Sequence, residues 1–167
     1  MVYLRAVLDQ LGREPEAQQL AEAQRALLAD AIAKAADPRA AMTFNWQLAE
    51  VCVYLGRPLD AVPALEAWAR ALPDEYDPAA RLGWVLLQGG RLDDAARWTD
   101  TAISLAYGPR KARVLGQRAE IAAAQGDRVA EKTYRQQIVA LWESLPPGQA
   151  SPGALAKARE ALARVAP

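Results

Sequence analysis

Leu48–Ala61, LAEVCVYLGRPLDA, is answered further along the chain by Leu82–Ala95, LGWVLLQGGRLDDA. Gly56 and Gly90 hold matching places in the two segments and lie 34 residues apart. Each segment carries the pattern Gly-Arg-x-x-acid-Ala, preceded by a Leu-small pair, Leu48-Ala49 in one and Leu82-Gly83 in the other. A third copy of the pattern stands at Gly12-Arg13-Glu14-Pro15-Glu16-Ala17. An apolar run that ends on glycine reads as a helix closed by a left-handed residue, with a second helix starting just beyond it. Ala49 or Gly83 then lets that second helix approach closely, and Ala61 or Ala95 is the matching small contact. A helix pair of this size cannot bury its apolar face alone, so it must stack on its neighbours.

Outward from these segments the whole chain reads as helix. Ala, Leu, Gln, Glu and Arg dominate, while Thr and Phe are few. Proline just inside a start follows Asp37, Asp77 and Ser151, pairing an N-cap side chain with a residue tolerated in the first turn. Glycine closes periodic runs at Leu11-Gly12, Leu55-Gly56, Gly89-Gly90 and Gln125-Gly126. The expected helices are 2–11, 14–36, 38–55, 58–72, 77–89, 91–106, 109–125, 127–145 and 152–165. Pro63 makes the fourth start near Asp60 or bend there.

A period of 34 residues made of two helices is that of the tetratricopeptide repeat (TPR), and the chain resembles that family. Pro73, which closes the first well-formed unit, agrees. The resemblance implies an all-α fold, a right-handed superhelix of antiparallel helix pairs. It also implies one domain across 1–167: an atypical N-terminal pair at 1–36, repeats at 38–73 and 76–109, a degenerate repeat at 110–146 and a capping helix at 151–166. The degenerate unit keeps Ala119, Gly126, Ala130 and Tyr134. The family's first-helix tryptophan is replaced by Asn45 and Ala79, and Trp46, one position on, points elsewhere. A second, shorter resemblance links Ala106–Arg113 and Leu145-Pro146-Pro147 to helical extensions of bacterial thioredoxin-like proteins, although no thioredoxin active-site motif is present.

The resemblance places a concave groove on the first helix of each pair and turns Trp46, Glu50, Tyr54, Asp77, Arg81, Trp84, Gln88, Arg113, Gln117 and Glu120 toward it. Two tryptophans and a tyrosine there are usual interface anchors; the competing reading is that they pack on helix 14–36 or on one another. The family's Lys/Asn clamp for a C-terminal carboxylate is absent, since Trp46 and Glu50 stand at the corresponding places. Arg110, Lys111 and Arg113 at a helix start read either as a solvated turn or as an anion site.

Composition narrows the chemistry. With no histidine, Ser-His-Asp and Cys-His catalysis and most zinc sites are ruled out. The one cysteine, Cys52, reads as a small core hydrophobe, and Asp93-Asp94 and Asp74-Glu75 read as capping groups beside helix starts. Neither catalytic nor metal-binding residues nor a cofactor site is expected. Lys plus Arg equals Asp plus Glu, 20 each, so the basic excess that nucleic acid or an anionic membrane demands is missing. The expected ligand is a protein or peptide, with a homodimer as a further option. The chain reads as cytoplasmic, or as periplasmic if it belongs to a larger secreted protein. Two functions stand open: an interaction module, or a structural or oligomerising extension of a larger, thioredoxin-like protein.

Overall fold

The computed structural model describes residues 2–146, 148 and 153–165. Ten α-helices follow one another among them: α1 (Val2–Gln10), α2 (Glu14–Ala33), α3 (Pro38–Met42), α4 (Asn45–Tyr54), α5 (Val62–Ala71), α6 (Tyr76–Gln88), α7 (Leu92–Leu105), α8 (Gly108–Ala124), α9 (Arg128–Ser144) and α10 (Ala154–Ala163). The described residues contain no strand. The fold is the expected all-α helical repeat.

Four turns are built alike, and glycine dictates them. Gly12, Gly56, Gly90 and Gly126 all take a positive φ, between 66° and 77°. At each, the residue after the glycine donates its N–H to the carbonyl five positions back: Arg13 to Leu8, Arg57 to Cys52, Arg91 to Leu86 and Asp127 to Ala122, all at 2.9 Å. The glycine N–H itself reaches the carbonyl three back. These two bonds satisfy carbonyls that the helix end would otherwise orphan. The rest of the motif serves the same corner: Arg13 pairs with Glu16, Arg57 with Asp60 and Arg91 with Asp94. In the fourth corner Asp127 caps α9 by accepting from the Ala130 N–H at 2.9 Å. No heavy atom lies within 4 Å of a Cβ placed on Gly56 or Gly90. The constraint there is backbone handedness alone. Gly56→Val and Gly90→Val are each expected to destabilise by about 1 kcal/mol or more, because a β-branched residue resists the left-handed region. Thermal melts check this, and unchanged midpoints would remove the turn assignment.

Packing follows the small residues. Ala49, Ala61 and Ala95 are fully buried. Gly83 is where α6, α7 and α8 meet, since an added Cβ would sit 2.2 Å from Thr99 Oγ1 and 2.6 Å from Gln117 Nε2. Around these contacts Leu48, Val51, Cys52, Leu65, Trp68, Leu82, Val85, Leu86 and Ile121 form one core. Burial pushes the Cys52 thiol up to about 11, so it stays a protonated, small apolar group. A second, smaller cluster of Ala79, Ala80, Ala102, Ala106 and Val114 joins α6, α7 and α8.

Four expectations need correction. Helix 38–55 is two helices, because the ladder tightens at Thr43-Phe44: both N–H groups bond three residues back, and the Thr43 hydroxyl donates to the Ala40 carbonyl at 2.7 Å. Segment 58–72 opens as a 3-10 turn at Pro58–Ala61 rather than as α-helix, and α5 starts at Val62, close to the later start near Asp60 that Pro63 implied, with Pro63 in its first turn. Asp37 caps α3 through the Ala40 N–H at 2.8 Å, but Asp77 lies inside the first turn of α6 and its carboxylate serves the Asn45 and Arg81 side chains instead. Asp93, Asp94 and Glu75 likewise do not cap. Asp94 lies between Arg91 and Arg97, whose hydrogen bonds hold its carboxyl below the usual range, Asp93 accepts from Gln125, and Glu75 pairs with Arg39. The expected start at Ser151-Pro152 lies outside the described residues.

Candidate functional site

Side by side, α4, α6 and α8 form an inner layer. The tryptophans of α4 and α6 meet across it. Trp46 and Trp84 stack with ring centroids 5.4 Å apart and planes 22° from parallel. Trp46 remains 45% exposed. That exposure follows from register: Asn45 occupies the neighbouring core-facing position, buried, and donates Nδ2 to Asp77 Oδ2 at 2.9 Å. Trp46 is thereby turned outward.

Arg81 completes the aromatic corner. Its guanidinium carbon lies 4.8 Å from the centroid of the Trp46 ring, and its Nη2 is 3.0 Å from Asp77 Oδ1. Burial lowers the guanidinium pKa, and the Asp77 charge opposes that shift. Arg81 Nε is buried with no hydrogen-bond partner among the described residues. A cleft of about 480 Å³ opens here, lined by Trp46, Ala80, Arg81, Trp84, Arg113, Val114, Gly116, Gln117 and Glu120. Six of the ten residues expected at the groove therefore line one cavity.

The other four do not. Glu50 and Tyr54, one and two turns along α4 from Trp46, are taken by the N-terminal helix: buried Arg5 reaches Glu50 Oε2 at 2.5 Å and lies 4.4 Å over the Tyr54 ring, whose hydroxyl donates to Asp9 at 2.8 Å. Asp77 sits behind Arg81 and holds it, so it acts on the cleft only through that side chain. Gln88 is exposed at the far end of α6, outside the cleft lining.

Within the cleft, Gln117 is less available than its register suggests. Its Nε2 donates to the Ala80 carbonyl at 3.1 Å and to Thr99 Oγ1 at 2.8 Å. The three cations of the α8 start do not converge, because Arg110 turns to the Tyr107 ring and hydroxyl while Arg113 faces the tryptophans. Val114 and Gly116 were not expected in the lining. Gly116 follows Arg113 by one helical turn and precedes Glu120 by another, on the stripe that the α8 register already marks. A larger hollow of about 710 Å³ between α9 and α10 offers Arg128, Lys132 and Arg164 but no aromatic group. It has no anchor comparable to the stacked pair.

No family model matches the chain, and no curated protein sequence does. Solved structures do match. BtubC (BKLC) from P. vanneervenii superposes with a TM-score of 0.73 over 98% of this chain and 73% of its own, at 17% identity. Nearly identical TPR-like repeats of a proposed kinesin light chain from Podosopora anserina superpose at 0.68, covering 98% of this chain and 82% of that one, at 17% identity. The chain has a TPR-like fold. At this identity the likeness concerns backbone architecture, and the TPR-like pairing of first and second helices is what sets α4, α6 and α8 in one layer. No helix among the described residues is long and apolar enough to cross a membrane.

Proposed function

We propose that the chain is a protein-interaction module whose cleft between α4, α6 and α8 receives a segment of a partner protein. TPR-like folds are generally scaffolds of this kind. In this reading the chain is one domain that divides into an N-terminal pair at 1–36, repeats at 38–73 and 76–109, a degenerate repeat at 110–146 and a closing segment at 151–166.

The observation that carries the reading is the stacked Trp46–Trp84 pair beside the cleft, with Trp46 45% exposed and Trp84 half-buried against the core beneath it. A solvent-facing aromatic platform loses water contact on binding and is already rigid, so an apolar side chain of the partner gains burial at little ordering cost. Ala80 and Val114 supply the apolar wall. Arg113 and Glu120, one of each sign and both exposed, serve as rim contacts.

Mixed charge sets the expected salt response. Selection of a peptide-display library on this chain should yield segments that share a large apolar side chain and compete for one site. Their affinity should fall less than about tenfold between roughly 50 and 500 mM salt. Enrichment of uniformly acidic or basic segments with a steep salt dependence would overturn the reading.

A further inference from the structure

The first helix is built inside out. Its nine residues, VYLRAVLDQ, carry two charges, Arg5 and Asp9, and both are engaged with the protein. Arg5 is 1% exposed on Glu50 and over Tyr54, and Asp9 accepts the Tyr54 hydroxyl. The apolar side chains point the other way: Tyr3, Leu4, Val7 and Leu11 are 89%, 54%, 48% and 64% exposed. At helical spacing these four fall within one arc of about 100°. An isolated helix face in water would be arranged in the opposite sense.

We propose that this face of α1 is a homodimerisation surface, covered by the same face of a second copy of the chain. Three observations select that occupant. The stripe itself carries no charge, so it offers nothing to recognise an acidic or a basic partner, and only another uncharged apolar stripe complements it. Elsewhere among the described residues the exposed large apolar side chains outside the cleft, Leu27, Leu59, Tyr107 and Val129, stand singly on separate elements, so the chain's own match to this stripe is the stripe. The described C-terminal helix α10 shows Lys157, Arg159, Glu160 and Arg164 to solvent. A head-to-tail contact would set apolar groups on these charges, whereas a two-fold contact closes apolar on apolar.

Area and charge agree with a weak pair. Covering four such side chains on both copies removes on the order of 1,000 Å² from water, the lower end of specific interfaces. A formal net charge of zero leaves no long-range repulsion between copies. The dimer is therefore concentration-dependent, and it leaves the tryptophan cleft free.

Sedimentation equilibrium of the full chain from about 1 to 300 µM tests this. The mass should rise from that of one chain toward two. Val7→Lys should raise the dissociation constant at least tenfold while leaving the helical circular dichroism unchanged, because Val7 is half exposed. Val129→Lys, at a site 79% exposed but far along the chain, should leave the constant where it was. A single-chain mass at every concentration would overturn the proposal. So would a dimer indifferent to Val7→Lys, or one lost in Trp84→Ala, which would place the contact in the cleft.

Discussion

Gly83→Val should lower the melting midpoint by about 10 °C, a loss of roughly 3 kcal/mol. The helix itself argues for the reverse, since replacing a mid-helix glycine by alanine ordinarily gains about 1 kcal/mol. Here the added carbon meets Thr99 Oγ1 at 2.2 Å and Gln117 Nε2 at 2.6 Å. Neither can yield freely. Thr99 is fully buried and stiff about its first torsion, and the two groups are bonded to each other at 2.8 Å. Gly83→Ala should already lower the midpoint, and Val adds two more methyl groups to the same crossing. Calorimetric melts of both variants decide it. A raised midpoint for Gly83→Ala would show that α6, α7 and α8 do not meet at this residue.

The second large effect is on binding. Trp84→Ala should weaken a captured partner segment by about 2 kcal/mol, near thirtyfold, the scale of a central aromatic truncation. It removes half of the platform and leaves Trp46 without its stacking partner. Glu50→Gln should leave the same affinity nearly unchanged, because Glu50 is occupied by Arg5 and lies outside the cleft lining. Isothermal titration of both variants against one segment measures the difference. Equal losses would mean that the α1 end of the layer, rather than the tryptophan cleft, holds the partner.

The contrast between those two variants shows what the sequence made legible. The repeat at Gly56 and Gly90, the left-handed turns and the small residues at Ala49 and Gly83 could all be read, because each is a local backbone or volume requirement. The register of α6 and α8 could also be read, and it brought Trp84, Arg81, Arg113 and Glu120 to one cleft. Register gives the direction of a side chain, however, and not what stands opposite. Glu50 and Tyr54 point toward the inner layer as expected, but residues 45 positions earlier, Arg5 and Asp9, already engage them. Gln117 lines the cleft as its register implies, but its amide also closes the Gly83 crossing, a contact that register does not show. The tightening at Thr43-Phe44 had no glycine or proline to announce it; a threonine bonding back to its own helix marked it only weakly.

The tryptophan indole N–H signals of the nitrogen-labelled chain test the central claim most directly. There are five tryptophans, each giving one resolvable probe at a known place. On saturation with a selected segment, the Trp46 and Trp84 signals should move together, while Trp68, 5% exposed in the core, stays fixed. Unmoved Trp46 and Trp84 signals in a saturated complex would show that the partner sits on another face and that the stacked pair is only packing.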